Sequence, residues 1–322
     1  MLKDLLKEKK VFKLVCGAGN EDAKEVEKLV ALYSKAGCSF FDLSAKPEIV
    51  DAAKRGLERA GIEKDRYLCV SVGIQGDPHV SKAYINSEKC KKCGRCYTVC
   101  PCKAVTEKST HYKINKIRCI GCGKCVEACP FSCIETISEF TDLKKVLPPL
   151  IEKGIDCIEF HTLGENEIEV DEKWEDINRS FDGILSICID RAKLGNEKLI
   201  SRLKRMLKTR EDYSTIIQAD GCPMSGDKDD FKTTLQAVAT AEIVQNANLP
   251  VYIMLSGGTN SRTTELAQMC GIDFHGIAVG TFARKIVQKY VEREDFLTNE
   301  NIFNQALEIA KNLVKKSMEF MY

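Results

Sequence analysis

The sequence predicts an α/β protein in which a parallel barrel carries an inserted domain, and three observations support this fold class. Short apolar segments of strand length alternate with amphipathic helical segments, as expected for parallel strands joined by helices. Eight strand–helix units can be counted, which is the number that closes a (β/α)8 barrel. A cysteine-rich stretch interrupts the alternation after the third strand. An open doubly wound sheet is the alternative, and the strand count favours the barrel.

The predicted strands are continuous apolar runs bounded by glycine, proline or polar residues. In chain order they are Val11–Cys16, Cys38–Leu43, Tyr67–Gly73, Cys157–His161, Gly183–Ile189, Thr215–Ala219, Pro250–Leu255 and Gly276–Gly280. The turns after the last two strands are rich in glycine and resemble the phosphate-binding loops that follow strands seven and eight in many barrels.

Local signals also predict several helices. Asn20 can cap the first helix after a strand, and Pro47 can open the second. A helix over 141–153 is expected to break at the Pro148-Pro149 pair. Further helices are predicted at about 196–208, 230–246 and 261–270. Two amphipathic segments, Met1–Lys9 and Ile302–Met318, are expected to pack on the outside of the barrel.

The cysteine-rich stretch is an internal repeat with a period of 29 residues. It consists of two runs, Cys90-x2-Cys93-x2-Cys96-x3-Cys100-Pro101 and Cys119-x2-Cys122-x2-Cys125-x3-Cys129-Pro130. This spacing is the ligand pattern of paired [4Fe–4S] clusters, in which the fourth cysteine of each run binds the other cluster. The predicted ligands are Cys90, Cys93, Cys96 and Cys129 for cluster one, and Cys119, Cys122, Cys125 and Cys100 for cluster two.

Zinc and disulfide bonds explain these cysteines less well. A tetrahedral zinc site uses two cysteine pairs separated by a longer spacer, and nothing in the sequence marks the chain as secreted. The repeat also includes Ile85-Asn86 and Ile114-Asn115, at equivalent positions before the two runs. We therefore predict a bacterial-type two-cluster ferredoxin-like domain at 83–137, inserted between the barrel segments 1–82 and 138–322.

Bulk properties exclude several classes of function. The formal net charge of +1 provides no broad basic field for nucleic acid or an acidic membrane surface. No apolar run is long enough to cross a bilayer, and the charged start of the chain does not resemble a signal peptide. The 17 cysteines accordingly predict a reducing cytoplasm. The oxygen sensitivity of such clusters suggests an anaerobe or a low-oxygen niche.

The position of the insertion predicts where the chemistry takes place. A segment inserted after a barrel strand lies over the C-terminal mouth, where barrel enzymes have their active sites. At this mouth we predict His161 as a proton donor, oriented by Asp220 or Glu159. A phosphate or carboxylate would be held by Arg284 and by the glycine loops. The loop residues are Gly257, Gly258, Thr259 and Gly280.

These mouth residues also have structural interpretations. His161 can be a hydrogen-bonded residue at a strand end, and Asp220 with Gly221 can form a simple turn. The Gly257-Gly258 pair can belong to a loop that needs positive φ without binding an anion. If phosphate does bind, flavin mononucleotide is the obvious candidate, although nothing in the sequence requires it.

Several segments resemble one known family. They are Phe12–Ala18, Glu159–Thr162, Gln218–Gly221 with Pro223–Asp227, and Gly257–Asn260. With the paired cysteine runs, they are similar to the iron–sulfur proteins that modulate the light-dependent circadian period of cyanobacteria (LdpA-like proteins). The resemblance spans roughly residues 11–285 and implies two cubanes that sense or relay redox state.

Two functions follow from these observations. The first is electron transfer by an oxidoreductase, from a redox partner protein such as a ferredoxin or flavodoxin to a small-molecule substrate or cofactor at the mouth. The polar mouth favours this function. The second is non-enzymatic redox sensing, in which a change at the clusters alters contact with a partner protein. The family resemblance favours the second.

Overall fold

A computed structural model of the chain describes residues 1–17, 19–62, 64–74, 81–138, 142–162, 164, 166–222, 226 and 228–321, without the side chains of residues 190–193. Ala18 and most of the 223–227 motif that the family resemblance uses lie outside the described residues.

Eight parallel strands of the described chain close a barrel, as the sequence predicts, and the open-sheet alternative is wrong. In order around the barrel they are β1 (Val11–Val15), β2 (Phe40–Ser44), β3 (Tyr67–Gly73), β8 (Cys157–His161), β9 (Ile184–Asp190), β10 (Thr215–Asp220), β11 (Tyr252–Ser256) and β12 (Gly276–Val279). Strand β12 pairs with β1 and closes the cylinder.

The helices alternate with these strands. Those outside the insertion are α1 (Leu2–Lys7), α2 (Ala23–Lys35), α3 (Pro47–Ala60), α6 (Leu143–Glu152), α7 (Glu167–Ser180), α8 (Arg191–Met206), α9 (Leu235–Asn246), α10 (Thr263–Met269), α11 (Thr281–Val291) and α12 (Glu300–Met318). Helix α6 runs through Pro148 and Pro149 without the expected break. Its buried Leu143, Leu147 and Leu150 anchor it on both sides of the proline pair.

The lower end of the barrel is filled with apolar side chains. They come from alternate positions of the strands and include Val11, Phe40, Ile216 and Met254. Leu2 and Leu6 of α1 pack into the same cluster. Helix α1 therefore packs outside the cylinder, across the floor of the barrel. Helix α12 also packs on the outside, against α2, α11 and β1.

The insertion leaves the barrel after β3 and returns before α6. Strand β4 (Ser81–Ile85) pairs antiparallel with β7 (Ile134–Ser138), and β5 (Val105–Glu107) pairs antiparallel with β6 (Tyr112–Ile114). Two short helices, α4 (Arg95–Val99) and α5 (Lys124–Glu127), lie between these strands. The core of the insertion is built largely from cysteines, together with Ala83, Val105 and Ile134.

None of the described helices has the length and apolar character required to cross a membrane.

Candidate functional site

A layer of polar side chains lies inside the barrel above the apolar floor. Its centre is Lys13, which points inward from the middle of β1 and is fully buried. The Lys13 Nζ donates to Glu159 Oε2 at 2.5 Å and to Gln218 Oε1 at 3.0 Å. Ser186 donates to the same Glu159 oxygen at 2.9 Å, and Asp42 lies close enough to interact with the lysine charge.

The charges in this layer stabilise one another. Burial works against the Lys13 ammonium, but the carboxylates of Asp42 and Glu159 outweigh it and raise the pKa of Lys13 well above its usual value. Burial also opposes ionisation of Glu159, yet Lys13 and His161 hold the pKa of that carboxyl well below its usual range. The layer therefore contains a permanent ammonium–carboxylate pair, a role for Lys13 that the sequence-predicted site does not include.

His161 lies one layer higher, at the end of β8. Its Nε2 is 3.3 Å from Glu159 Oε1, and its side chain is buried. In register with it on β9, the thiol of Cys188 donates to Asp220 Oδ2 at 3.5 Å. Burial raises the pKa of Cys188 to about 12, so this thiol is protonated at neutral pH. The three predicted catalytic residues, Glu159, His161 and Asp220, are thus brought together around one cavity.

Glu159, His161 and Cys188 also have the chemistry of metal ligands. One donor atom from each lies within 4.8 Å of the others, and all three side chains are buried. The Lys13 ammonium on the second Glu159 oxygen supplies the positive charge that this carboxylate needs. A hydrogen-bonded acid–base pair of Glu159 and His161 accounts for the arrangement without a metal ion.

The glycine loop after β11 makes room for Asp220. A Cβ atom on Gly257 would lie 1.7 Å from Asp220 Oδ1, and Gly257 has a φ of 71°. Gly257 is therefore required for the approach of this carboxylate to the loop, which is a structural function in addition to any anion binding. Thr259 is also occupied within the fold, because its hydroxyl donates to the Ala278 carbonyl at 2.5 Å.

The loop after β12 leads into α11 at the edge of the same cavity. Gly280 is the N-cap residue of α11 and provides no side-chain cap, so the first amides of the helix have no capping partner from that position. Arg284 follows one turn later. Within the described residues, its buried Nε atom has no hydrogen-bond acceptor. A guanidinium beside an uncapped helix N-terminus favours a small anion.

The cavity that these groups line has a volume of about 70 Å³. Its lining includes Asp42, Glu159, His161, Gln218, Asp220, Gly257, Gly258, Thr259, Gly280 and Arg284. A site of this size is well below the roughly 300–1,000 Å³ typical of pockets for drug-sized ligands. A small ligand such as a phosphate or carboxylate matches both the volume and the charges.

The cysteines predicted for cluster two lie close together in the insertion. Burial raises the pKa of Cys125 to about 12, and three neighbouring thiols add to this effect. These thiols belong to Cys100, Cys119 and Cys122. The Cys100 sulfur also accepts a hydrogen bond from the Ala104 amide at 3.2 Å. Cys100 of the first run thus groups with the second run, as the ligand-sharing prediction requires.

The cysteines predicted for cluster one form a second group. Burial raises the pKa of Cys96, and its neighbours Cys90 and Cys93 add to the effect. The thiol of Cys133 lies 3.4 Å from that of Cys129, and Cys90 is also beside it. Cys129 of the second run is therefore near the first. Seven of the eight predicted ligands are buried or half-buried, and Cys93 is exposed. Several of the thiols accept backbone N–H groups, an arrangement that fits two clusters. The assignment of each thiol to a cluster stays a prediction.

The insertion contacts the barrel beside the mouth. Lys82 connects the two parts, since its Nζ donates to the carbonyls of Gly19, after β1, and of Cys119, at 2.6 and 2.9 Å. It also pairs with Glu21 at 3.2 Å. Ile120, adjacent to Cys119, lines the mouth cavity. The predicted position of the insertion over the C-terminal end of the barrel is confirmed.

Arg284 and Thr281 line both the mouth cavity and a second surface cavity on the side of the insertion. The second cavity is also lined by Cys100 and Cys102. Burial raises the pKa of Cys102 to about 11, although Arg284 is near enough to oppose this shift. The predicted cluster-two ligands therefore lie next to the mouth, with the Arg284 side chain between them and the cavity.

Comparisons with known proteins agree with this architecture. Residues 149–316 match the family described as the Light dependent period A C-terminal domain, and residues 82–136 match the 4Fe-4S dicluster domain. A curated relative, Light dependent period A of Synechococcus elongatus, is 31% identical over 295 residues, which cover 87% of this chain and 82% of the relative.

The solved structure of an aldolase shares the fold. The YdjI aldolase of Escherichia coli K12 matches with a TM-score of 0.51 at 7% identity, covering 99% of this chain and 94% of the aldolase. A dihydrodipicolinate synthase of Acinetobacter baumannii matches with a TM-score of 0.43 at 11% identity, covering 93% of this chain and 82% of the synthase. At these identities the likeness concerns the barrel fold alone. The dicluster match and the curated relative establish that the chain is an iron–sulfur protein belonging to the Light dependent period A family.

Proposed function

We propose that the protein is an iron–sulfur oxidoreductase that passes electrons from an external donor protein to a small anionic ligand in the barrel mouth. The observation that supports it best is the position of Arg284, whose side chain lines both the ligand cavity and the cavity beside the cluster-two cysteines. The clusters, when bound, supply single electrons. The residues of the barrel bind the ligand and provide the proton.

The geometry supports a separate role for each group. Arg284 and the first amides of α11 would hold the negatively charged end of the ligand. His161 would donate a proton from Nε2, which faces Glu159 Oε1 at 3.3 Å. Glu159 stays ionised because Lys13 lowers its pKa, and an ionised Glu159 stabilises the protonated imidazole. Asp220, held beside Gly257, forms part of the cavity wall.

The size of the cavity limits the choice of ligand. A volume of about 70 Å³ admits a small phosphate or carboxylate compound. Flavin mononucleotide stays an untested prediction, because a cavity of this size among the described residues takes its phosphate end alone. The buried Lys13–Glu159 pair lies beneath the cavity, and the His161 side chain is itself buried. Limited contact of His161 with bulk water suits proton-coupled reduction.

The test begins with the full-length protein purified without oxygen. Small molecules released from it are identified by mass spectrometry, and each is mixed with protein whose clusters have been reduced by dithionite. We expect cluster reoxidation to be about 100-fold slower in His161→Gln than in the wild type. Equal rates in the two proteins, or the absence of any compound that reoxidises the clusters, would contradict the proposal.

Ligand binding has a separate test that uses Arg284→Met and, as a matched control, Arg293→Met. Arg293 is exposed and paired with Asp295, away from the cavity. With inorganic phosphate and acetate as probes in calorimetry, we expect Arg284→Met to lose at least about tenfold in affinity. The Arg293 variant should bind as the wild type does. Wild-type protein that binds neither probe would refute the anion site.

Family membership favours a second candidate function, non-enzymatic redox sensing, because the curated relative is named for a light-dependent period. In this case the insertion would change its contact with a partner protein when the clusters change state. A sensor needs the clusters and not the mouth. Redox phenotypes that survive His161→Ala and Asp220→Asn but not Cys96→Ser would favour the sensor over the enzyme.

A further inference from the structure

Positive charge is concentrated on the insertion. Residues 82–136 contain eleven lysines and arginines against four acidic residues, a net charge of +7. The rest of the chain contains 37 basic and 43 acidic residues, a net charge of −6. The net charge of the whole chain is therefore close to zero although its two parts carry opposite charge. This separation creates a positive electrostatic potential around the insertion.

Part of this positive charge fastens the insertion to the barrel. The basic residues Lys82, Lys103 and Arg118 pair across the interface with Glu21, Asp22, Glu25 and Glu292. Lys92 pairs with Glu107 inside the insertion. These four basic residues therefore already have carboxylate partners within the protein.

Three other basic side chains lie around the first cysteine run and face solvent. Lys89, Lys91 and Arg95 are exposed, and within the described chain no carboxylate forms an ion pair with them. Beside them are two exposed apolar side chains, Tyr97 at 57% and Val99 at 38% relative exposure. These five residues form what we call the donor face.

The donor face surrounds the first cysteine run, although its Val99 also lines the cavity beside Cys100. A surface groove is lined by Cys93, Arg95, Val99 and Glu127, and Cys93 itself is exposed. Cys93 groups with the cysteines predicted for cluster one, whereas the cluster-two group lies beside Arg284 and the mouth. Glu127 is the single acidic side chain in this groove. An electron that enters at the donor face would thus meet cluster one first and cluster two next, before it reaches the barrel.

We propose that the donor face docks an acidic one-electron carrier protein, an inference that rests on the proposed electron-transfer function. In each encounter the reduced carrier loses one electron and the protein gains one, with no proton or bond exchanged. The exposed Tyr97 and Val99 give the contact its apolar centre, and Lys89, Lys91 and Arg95 attract the negatively charged carrier.

The experiment measures reduction of the intact, cluster-loaded protein by stopped-flow absorbance. The probes are a reduced acidic plant-type ferredoxin and, separately, dithionite. The test variant is Lys91→Glu/Arg95→Glu. The matched control is Lys113→Glu/Lys116→Glu, which changes the charge of the same domain equally but lies in a different groove. Iron content and dithionite reduction verify that every variant retains its clusters.

We expect the donor-face variant to be reduced by ferredoxin at least about tenfold more slowly than the control variant, with unchanged dithionite reduction. The wild-type rate with ferredoxin should also fall steeply between about 0.05 and 0.5 M salt, a readout that needs no variant. Equal rates in the two variants, or a salt-independent wild-type rate, would overturn the proposal. A short DNA duplex that binds the donor face more tightly than ferredoxin does would also overturn it.

Failure of the two proposals can be distinguished. A protein that accepts electrons through the donor face but reduces no ligand would keep this inference and refute the enzyme. If the donor-face substitutions leave reduction by ferredoxin unchanged but the protein still reduces a ligand at the mouth, this inference is refuted and the proposed enzyme is retained.

Discussion

Replacing Lys13 by methionine should destabilise the protein strongly, because it removes the ammonium partner of a fully buried carboxylate. The Lys13 Nζ lies 2.5 Å from Glu159 Oε2, and both side chains are completely inaccessible to solvent. Breaking a buried ion pair by removing one partner typically costs about 3–5 kcal/mol. With an unfolding entropy of about 2.1 cal/mol/K per residue, this corresponds to a fall in Tm of about 4–7 °C.

The pH dependence provides a more specific signature. The folded-state pKa of Glu159 is depressed, so its stabilising contribution is present above its usual value of 4.5 and is lost as the pH falls through the folded value. In Lys13→Met, Glu159 and Asp42 lose the ammonium, and their protonation now favours folding. The Tm difference between wild type and variant should therefore shrink between about pH 8 and about pH 5.

The assay is anaerobic calorimetry of cluster-loaded protein, with exposed Lys24→Met as the control variant, which should change stability by less than about 0.5 kcal/mol. The double variant Lys13→Met/Glu159→Gln should be more stable than the sum of its single changes predicts, because it removes both members of the pair. A Lys13 variant no less stable than the Lys24 control, or one whose deficit grows towards low pH, would refute the reasoning.

Two further predictions concern the mouth and the clusters. Gly257→Ala should displace the Asp220 carboxylate and destabilise the protein. The loss should exceed the ~1 kcal/mol expected for Gly271→Ala, where φ is also positive but no atom lies near the added Cβ. Chemical denaturation measures both variants, and equal losses would contradict the packing argument. Cys96→Ser should reduce bound iron by about four atoms per chain. The control is Cys270→Ser, at an exposed cysteine outside the insertion, which should keep the wild-type iron content. An iron assay that finds no difference between the two variants would exclude Cys96 as a ligand.

The barrel was predictable because its strands are nearly continuous apolar runs. The predicted and observed bounds agree for β3 and β8 and differ by one or two residues for the others. Helices α7 and α11 are not among the predicted ranges. The prediction for Pro148-Pro149 was wrong because local propensity yields to the burial of an apolar face in the folded protein. The floor position of α1 was missed because an amphipathic pattern identifies the apolar face without indicating what covers it.

The mouth was predicted in part. His161 and Asp220 were placed at the mouth because they lie at the C-terminal ends of strands, where barrel chemistry takes place. Glu159 was included as the residue two positions before His161 on the same strand. Lys13 was missed because a lysine in an apolar strand gives no sign of its partners on distant strands. Cys188 is a buried thiol within an apolar strand, and its contact with Asp220 depends on strand register, which the sequence does not reveal. Only the closed cylinder brings these residues together.

The apolar floor has a consequence for how protons travel. Leu2 and Leu6 pack against the lower end of the barrel, beneath a layer of mainly apolar side chains. If His161 is the proton donor that we propose, its replacement proton is expected to enter through the upper opening of the barrel, which Ile120 of the insertion helps to line. Under the proposed function, electrons and protons would then reach the ligand through the same end of the barrel, and a molecule bound there would limit the supply of both.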